Sequence, residues 1–177
     1  MKMKIDIKPF PLHEPFVITG YTFHVTEVVW VTLTDGDAVG RGEAVGSYYL
    51  DETAAGMAAT LESVKAEVEA GATRADVQQL LPFGGARNAL DCAFWDLEAK
   101  RSGVSVWKTL QIDPKPLATV ATIVIGSPEK MAADAARLAK YANLKIKLSD
   151  DDPMVRLEAI RKARPDANLV IDVNQGW

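Results

Sequence analysis

The sequence is poor in several features that would point to particular classes of protein. Its 177 residues include one cysteine, Cys92, so no internal disulfide can form and a reducing compartment such as the cytoplasm is expected. Twenty basic side chains against twenty-four acidic ones give a formal charge of −4, so there is no excess of positive charge to bind nucleic-acid phosphates. No run approaches the ~18 consecutive apolar residues that a membrane span needs. We therefore expect neither nucleic acid nor membrane as a partner.

The first part of the chain, residues 1–113, predicts an α+β domain that opens with strands. Apolar residues alternate with charged ones over Met3–Ile7, which is typical of a half-buried strand. Thr22–Thr34 is rich in β-branched and aromatic residues, and Ala38–Ala44 returns after an Asp-Gly-Asp turn. The segment Pro11–Tyr21, with two prolines and a glycine, is interpreted as a loop. These features predict a three-stranded meander.

Two helices are predicted to follow. Met57, Leu61, Val64 and Val68 lie on one stripe, with Asp51 as the N-cap and Gly71 as the stop. Ala86–Arg101 has the clearest helical spacing, and Cys92 within it is interpreted as a small buried hydrophobe. Two prolines at 114 and 116 then mark a domain boundary.

The second part, residues 114–177, predicts a βαβαβ pattern and hence a parallel sheet with crossover helices. The apolar run Leu117–Ile125, the segment Leu144–Leu148 and the segment Leu169–Asn174 read as strands. Gly126-Ser-Pro opens the first helix, and Asp152-Pro153 opens the second.

Strand periodicity places Lys145 and Lys147 on one face of their strand and Asp172 and Asn174 together on the next. All four lie toward the carboxyl ends of the strands, where α/β proteins build their sites. The carboxylate and the amide could bind a divalent cation. Two neighbouring lysines repel each other's charge, which lowers the pKa of each amine so that it could act as a base. The alternatives are a solvated lysine face and a turn or cap signal at Asp172.

With these residues the sequence resembles the enolase superfamily, and within it the dipeptide epimerases of the L-Ala-D/L-Glu epimerase type. The resemblance spans nearly the whole chain and rests on five blocks in order: Gly40–Ala44, Ala86–Leu97, Thr122–Glu129, Lys145–Lys147 and Ile171–Trp177. It implies an α+β capping domain followed by the first βαβαβ of a modified (β/α)7β TIM barrel.

The resemblance also implies roles for individual residues. Lys147 would be the acid/base on one face of the substrate α-carbon, and Lys145 would contact the substrate carboxylate. Asp172 would be one of three carboxylate ligands to Mg²⁺, which stabilises the enediolate formed when the α-proton leaves. Substrate-binding positions would be Thr122, Tyr21 and His24, and Asn174 would be a polar group close to the metal ligand Asp172. The substrate would be a small dipeptide, and the protein would form a homo-oligomer.

Two departures from the family pattern shape the remaining expectations. Three predicted barrel strands stand where eight are required, so we expect a truncated barrel that is not a competent epimerase alone. The loop over Pro15–His24 has no arginine, which Glu-accepting members carry there, so a dipeptide with an apolar or aromatic side chain is also expected. The alternative functions are a muconate cycloisomerase or o-succinylbenzoate synthase-like enzyme, and a non-catalytic interaction module.

Overall fold

A computed structural model describes all residues 1–177 and divides them into two compact units. The first unit comprises Met1–Pro11 with Val25–Pro114, and the second comprises Leu12–His24 with Lys115–Trp177. No helix in the chain combines the length and apolar character that crossing a bilayer requires.

In chain order the elements are β1 Lys2–Ile18, β2 Tyr21–Asp35, β3 Ala38–Val45, a 3-10 turn Tyr48–Leu50, α1 Ala54–Glu62, α2 Lys65–Glu69, α3 Arg74–Leu80, α4 Gly85–Ser102, α5 Val106–Thr109, β4 Val120–Ile123, α6 Pro128–Arg137, β5 Asn143–Lys147, α7 Pro153–Ala163 and β6 Asn168–Asp172.

The prediction of a loop over Pro11–Tyr21 is wrong, because β1 continues through both prolines to Ile18. Thr19 and Gly20 alone connect β1 to β2, and Gly20 has the positive φ of 77° that a tight turn requires. The sheet order β1–β2–β3 makes β1 an edge strand. Proline is tolerated on an edge strand, since its missing N–H can face away from the neighbouring strand. The prolines therefore do not break the strand.

The helical stripe predicted after the sheet is buried as expected, but its helix boundaries differ. Met57, Leu61, Val64 and Val68 all lie in the core. Met57 and Leu61 belong to α1 and Val68 to α2, while Val64 is the N-cap residue of α2. The N-cap of α1 is Thr53, whose hydroxyl accepts from the Gly56 N–H at 3.1 Å. The prediction of Asp51 as the cap is wrong.

The predicted helix over Ala86–Arg101 is confirmed as α4, which packs its small and apolar face on β3. Its end is marked by Gly103 at φ 67°. The interpretation of Cys92 as buried is wrong: it lies on the exposed side of α4, while Ala89, Ala93 and Leu97 occupy the inner side.

In the second unit, β4, β5 and β6 form a parallel sheet in sequence order, which confirms the βαβαβ prediction. Leu144, Ile146 and Leu148 have no exposed surface and pack with Met131 and Ile160 of α6 and α7. One face of the sheet is thus the core of this unit.

A buried arginine fixes the end of the connection between α6 and β5. The guanidinium of Arg164 donates to the carbonyls of Ala135, Leu138 and Tyr141 and is paired with Asp166. These carbonyls lie at and just beyond the end of α6, where backbone oxygens lack partners within the helix. Arg164 therefore ties the α6–β5 connection to the end of α7.

We predict that Gly42→Ala destabilises the first unit, because the added methyl would collide with the backbone oxygen of Ala89 on α4. Overpacking of this kind costs about 1–3 kcal/mol in the free energy of unfolding. Urea unfolding measures the change, and Gly56→Ala is the control, since its methyl would lie 3.3 Å from the hydroxyl of Thr53, the N-cap residue of α1. Equal stability of the two variants would contradict the close packing of α4 on β3.

Candidate active site

The carboxyl ends of the three parallel strands carry the polar residues that the sequence singled out. The register pairs Thr122 of β4 with Lys145 of β5, and Lys147 of β5 with Asp172 of β6. Because side chains alternate along a strand, these four residues lie on the face opposite to the buried leucine and isoleucine side chains of β5. The prediction that two lysines and Asp172 share one face is confirmed.

The Asp172 carboxylate is held between both lysine amines. Its Oδ2 lies 2.7 Å from Lys145 Nζ and 2.8 Å from Lys147 Nζ. The two amines differ in exposure, since 38% of the Lys145 side chain but only 8% of the Lys147 side chain is accessible. Lys147 is therefore an almost buried cation, which must be paired to be stable there.

Asn174 completes this arrangement, which we call the lysine–aspartate cluster: Lys145, Lys147, Asp172 and Asn174. The Asn174 side-chain oxygen accepts from Lys147 Nζ at 2.6 Å, and its backbone N–H donates to Asp172 Oδ1 at 3.0 Å. Asn174 has a φ of 46°, in the left-handed region that asparagine tolerates better than most residues. The turn after β6 thus points the side-chain oxygen of Asn174 toward Lys147 and its backbone N–H toward Asp172.

The cluster fixes the charge of its carboxylate. Hydrogen bonds from Lys145, then Lys147 and then the Asn174 backbone hold the pKa of Asp172 well below its usual range. Asp172 consequently stays ionised at any physiological pH, and its two oxygens are available as ligands for a cation or as acceptors for amines.

The other sequence-predicted site residues occupy two different places. Thr122 lies on the same sheet face, one strand away from Lys145, and is exposed. Tyr21 and His24 lie at the start of β2, where both are exposed and the Tyr21 ring stacks on Phe23 at 6.1 Å between centroids. The structure thus puts these two residues on the β1–β2 hairpin rather than on the parallel strands.

The oxygen atoms of Asp172 and Asn174 suit a hard divalent cation. Residues 1–177 contain no group of three or more Asp, Glu, His or Cys side chains that could hold a metal ion. Within the lysine–aspartate cluster, Asp172 supplies the single carboxylate.

Sequence reasoning missed one residue at this edge of the sheet. The Thr19 hydroxyl in the β1–β2 turn reaches the backbone carbonyls of Leu148 and Val173, which are 129 and 154 positions away in sequence. No local pattern signals such a contact, because it depends on the path of the hairpin in three dimensions.

Comparisons with known proteins agree on a single family. The model of the mandelate racemase / muconate lactonizing enzyme N-terminal domain matches residues 2–110. The L-Ala-D/L-Glu epimerase of Escherichia coli (strain K12) is 40% identical over 178 residues, which cover 99% of this chain and 56% of that protein. The chain thus spans about half the length of the curated relatives it matches.

Solved structures give the same result. An enolase family member from Agrobacterium tumefaciens, with bound sodium and L-Ala-L-Glu, superposes with a TM-score of 0.92 at 40% identity, over 99% of this chain and 54% of that one. A dipeptide epimerase from Enterococcus faecalis, complexed with Mg and L-Leu-L-Tyr, gives a TM-score of 0.86 at 25% identity, over 99% and 54%.

We predict that Asp172→Asn lowers the stability of the chain at pH 7 by about 1–3 kcal/mol, because it leaves the buried Lys147 amine without its charged partner. The pKa of folded Asp172 is below that of the unfolded chain, so its contribution is fully present above about pH 4 and declines as the pH falls further. The difference between wild type and variant should therefore shrink toward about pH 2, as measured by urea unfolding across this range.

The control is Asp150→Asn, which removes the same charge at an exposed position just after β5. A pH-independent difference between wild type and Asp172→Asn, or an equal loss in Asp150→Asn, would contradict the pairing of Asp172 with the lysines.

Proposed function

Because the chain belongs to the enolase superfamily, in its mandelate racemase / muconate lactonizing enzyme branch, we propose that it supplies part of the active site of a dipeptide epimerase. The proposed reaction is removal of the proton α to the substrate carboxylate and its return from the other side. The observation that carries the proposal is the lysine–aspartate cluster, in which an almost buried lysine lies beside a carboxylate at the carboxyl ends of parallel strands.

Lys147 is the proposed acid/base on one face of the α-carbon. Its amine is held by Asp172 and Asn174 in one position, so a proton is transferred at a defined point rather than by a mobile side chain. Lys145 is more exposed and is paired with the same carboxylate. Its proposed role is to bind the substrate carboxylate and to place a second positive charge beside Lys147.

Asp172 is the proposed contribution of this chain to a Mg²⁺ site, with Asn174 orienting it through the 3.0 Å backbone hydrogen bond. A divalent cation there would offset the negative charge that develops on the substrate carboxylate as the α-proton leaves. Thr122, on the same face of the sheet, is proposed to contact the dipeptide. The parallel sheet is proposed to be the beginning of a (β/α)7β barrel.

The substrate is proposed to be a dipeptide whose second side chain is apolar or aromatic as readily as it is Glu. The hairpin segment Leu12–His24 has no arginine that could bind a side-chain carboxylate in bidentate fashion. It offers Tyr21 and His24 instead as proposed substrate contacts. The solved relatives support both kinds of second side chain, since the Agrobacterium tumefaciens protein binds L-Ala-L-Glu and the Enterococcus faecalis enzyme binds L-Leu-L-Tyr.

We further propose that residues 1–177 alone do not catalyse the reaction. The cluster contains one carboxylate, and both of its amines come from a single strand, β5. We also propose that the protein is cytoplasmic and assembles into a homo-oligomer.

We predict that a hybrid enzyme will epimerise dipeptides in the presence of Mg²⁺. The hybrid joins residues 1–177 to the part of the E. coli L-Ala-D/L-Glu epimerase beyond the aligned region; within the aligned region the two proteins are 40% identical over 99% of this chain. Chiral chromatography after incubation with L-Ala-L-Glu and L-Ala-L-Phe measures the product, and we expect both dipeptides to be turned over.

Two controls define the result. The unmodified E. coli enzyme shows what the second half contributes to substrate choice, and residues 1–177 alone should give no epimerised product. A folded hybrid that is inactive toward every dipeptide would overturn the proposed function, and activity of residues 1–177 alone would overturn the proposed need for further residues.

A further inference from the structure

The turn of the β1–β2 hairpin lies directly against the backbone that carries the lysine–aspartate cluster. The Thr19 hydroxyl is 3.2 Å from the carbonyl oxygen of Leu148 and 3.0 Å from that of Val173. Leu148 follows Lys147 in the chain, and Val173 lies between Asp172 and Asn174. One side chain therefore touches both strands immediately beside the residues proposed to act on substrate.

These two carbonyls lie where the hydrogen-bonded pairing of β5 with β6 ends. The bond from the Leu148 N–H to the Asp172 carbonyl is already long, at 3.4 Å. Beyond it the carbonyls of Leu148 and Val173 are both acceptors and cannot bond to each other. The Val173 carbonyl already accepts from the Gly176 N–H at 2.8 Å, but a bridge between the two strand ends needs a donor that reaches both carbonyls. A threonine hydroxyl has one proton, which these two acceptors share.

The surrounding backbone leaves room for this hydroxyl. A methyl group at Gly176 would come within 2.9 Å of Thr19 Oγ1 and of the Val173 carbonyl oxygen. The hairpin is also attached to the third strand of the sheet, because the Ile125 N–H, just after β4, donates to the Val17 carbonyl at 3.3 Å. Val17 and Thr19 thus connect the hairpin to the ends of all three parallel strands.

We propose that Thr19 is a positioning residue for Lys147. Its hydroxyl holds the ends of β5 and β6 at the separation that keeps the Lys147 amine in contact with Asp172 and Asn174. Its role in catalysis rests on the proposed function, but its effect on the strand ends does not.

The test compares Thr19→Val, which keeps the shape and removes the hydroxyl, with Thr19→Ser, which keeps the hydroxyl. Both are made in the 177-residue chain. In Thr19→Val we expect the Leu148 and Gly176 amides, which donate to the carbonyls of Asp172 and Val173 at these strand ends, to exchange with solvent about tenfold faster. The reason is that the strand ends lose the stabilisation of about one hydrogen bond and open more often. We also expect the NMR signal of the Lys147 side-chain Cε to shift, whereas Thr19→Ser should match the wild type in both measurements.

A second pair of variants tests the same contact from the other side. Gly176→Ala should reproduce the effects of Thr19→Val, because its methyl displaces the hydroxyl. Gly126→Ala is the control in the neighbouring loop, where the methyl would meet side-chain atoms only, at 3.4 Å or more.

Unchanged exchange and an unchanged Lys147 signal in Thr19→Val would overturn the proposal. It would be overturned equally if Thr19→Ser behaved like Thr19→Val, since a hydroxyl at position 19 would then not be enough to hold the strand ends in place. An inactive hybrid enzyme would remove the epimerase function alone, and the amide exchange rates would still decide the role of Thr19.

Discussion

The site depends on keeping one almost buried amine, that of Lys147, next to a carboxylate. A lysine with 8% of its side chain exposed is costly unless its charge is paired, and Asp172 and Asn174 provide that pairing. The arrangement sets conditions on the whole second unit. Lys147 must be opposite Asp172 in the strand register, and the turn after β6 must bring Asn174 back toward β5. The helices α6 and α7 must cover the other face so that the sheet holds this register.

The two faces of β5 have different roles: one packs in the apolar core, and the other carries the lysines of the site. Leu144 and Ile146 of β5, and Leu148 just after it, alternate with the two lysines. Successive side chains therefore point in turn to the apolar core and to the site. A shift of one residue in pairing would exchange the two faces and bury both amines in the apolar core. The core thereby enforces the register on which the contact between Lys147 and Asp172 depends.

Features with a local cause could be predicted from the sequence. The period of two in β5 placed both lysines on one face, and helical spacing predicted α4 nearly to its ends. The predictions failed where tertiary contacts determine the local conformation or the burial of a residue. Pro11 and Pro15 indicate a loop unless β1 is known to be an edge strand, and Cys92 looks apolar until α4 is seen to turn it outward. The contacts of Thr19 join residues more than 120 positions apart, which no periodicity can reveal.

The most direct test of the account is the fate of the substrate α-proton in the hybrid enzyme when Lys147 is replaced by alanine. The two epimers of one dipeptide are incubated separately in D2O, and deuterium at the α-carbon is followed by NMR, with Lys115→Ala as a control at an exposed position. A one-sided acid/base predicts that exchange of one epimer falls by at least about 100-fold while that of the other persists. Equal residual exchange of both epimers would contradict the assignment of Lys147 to one face of the substrate.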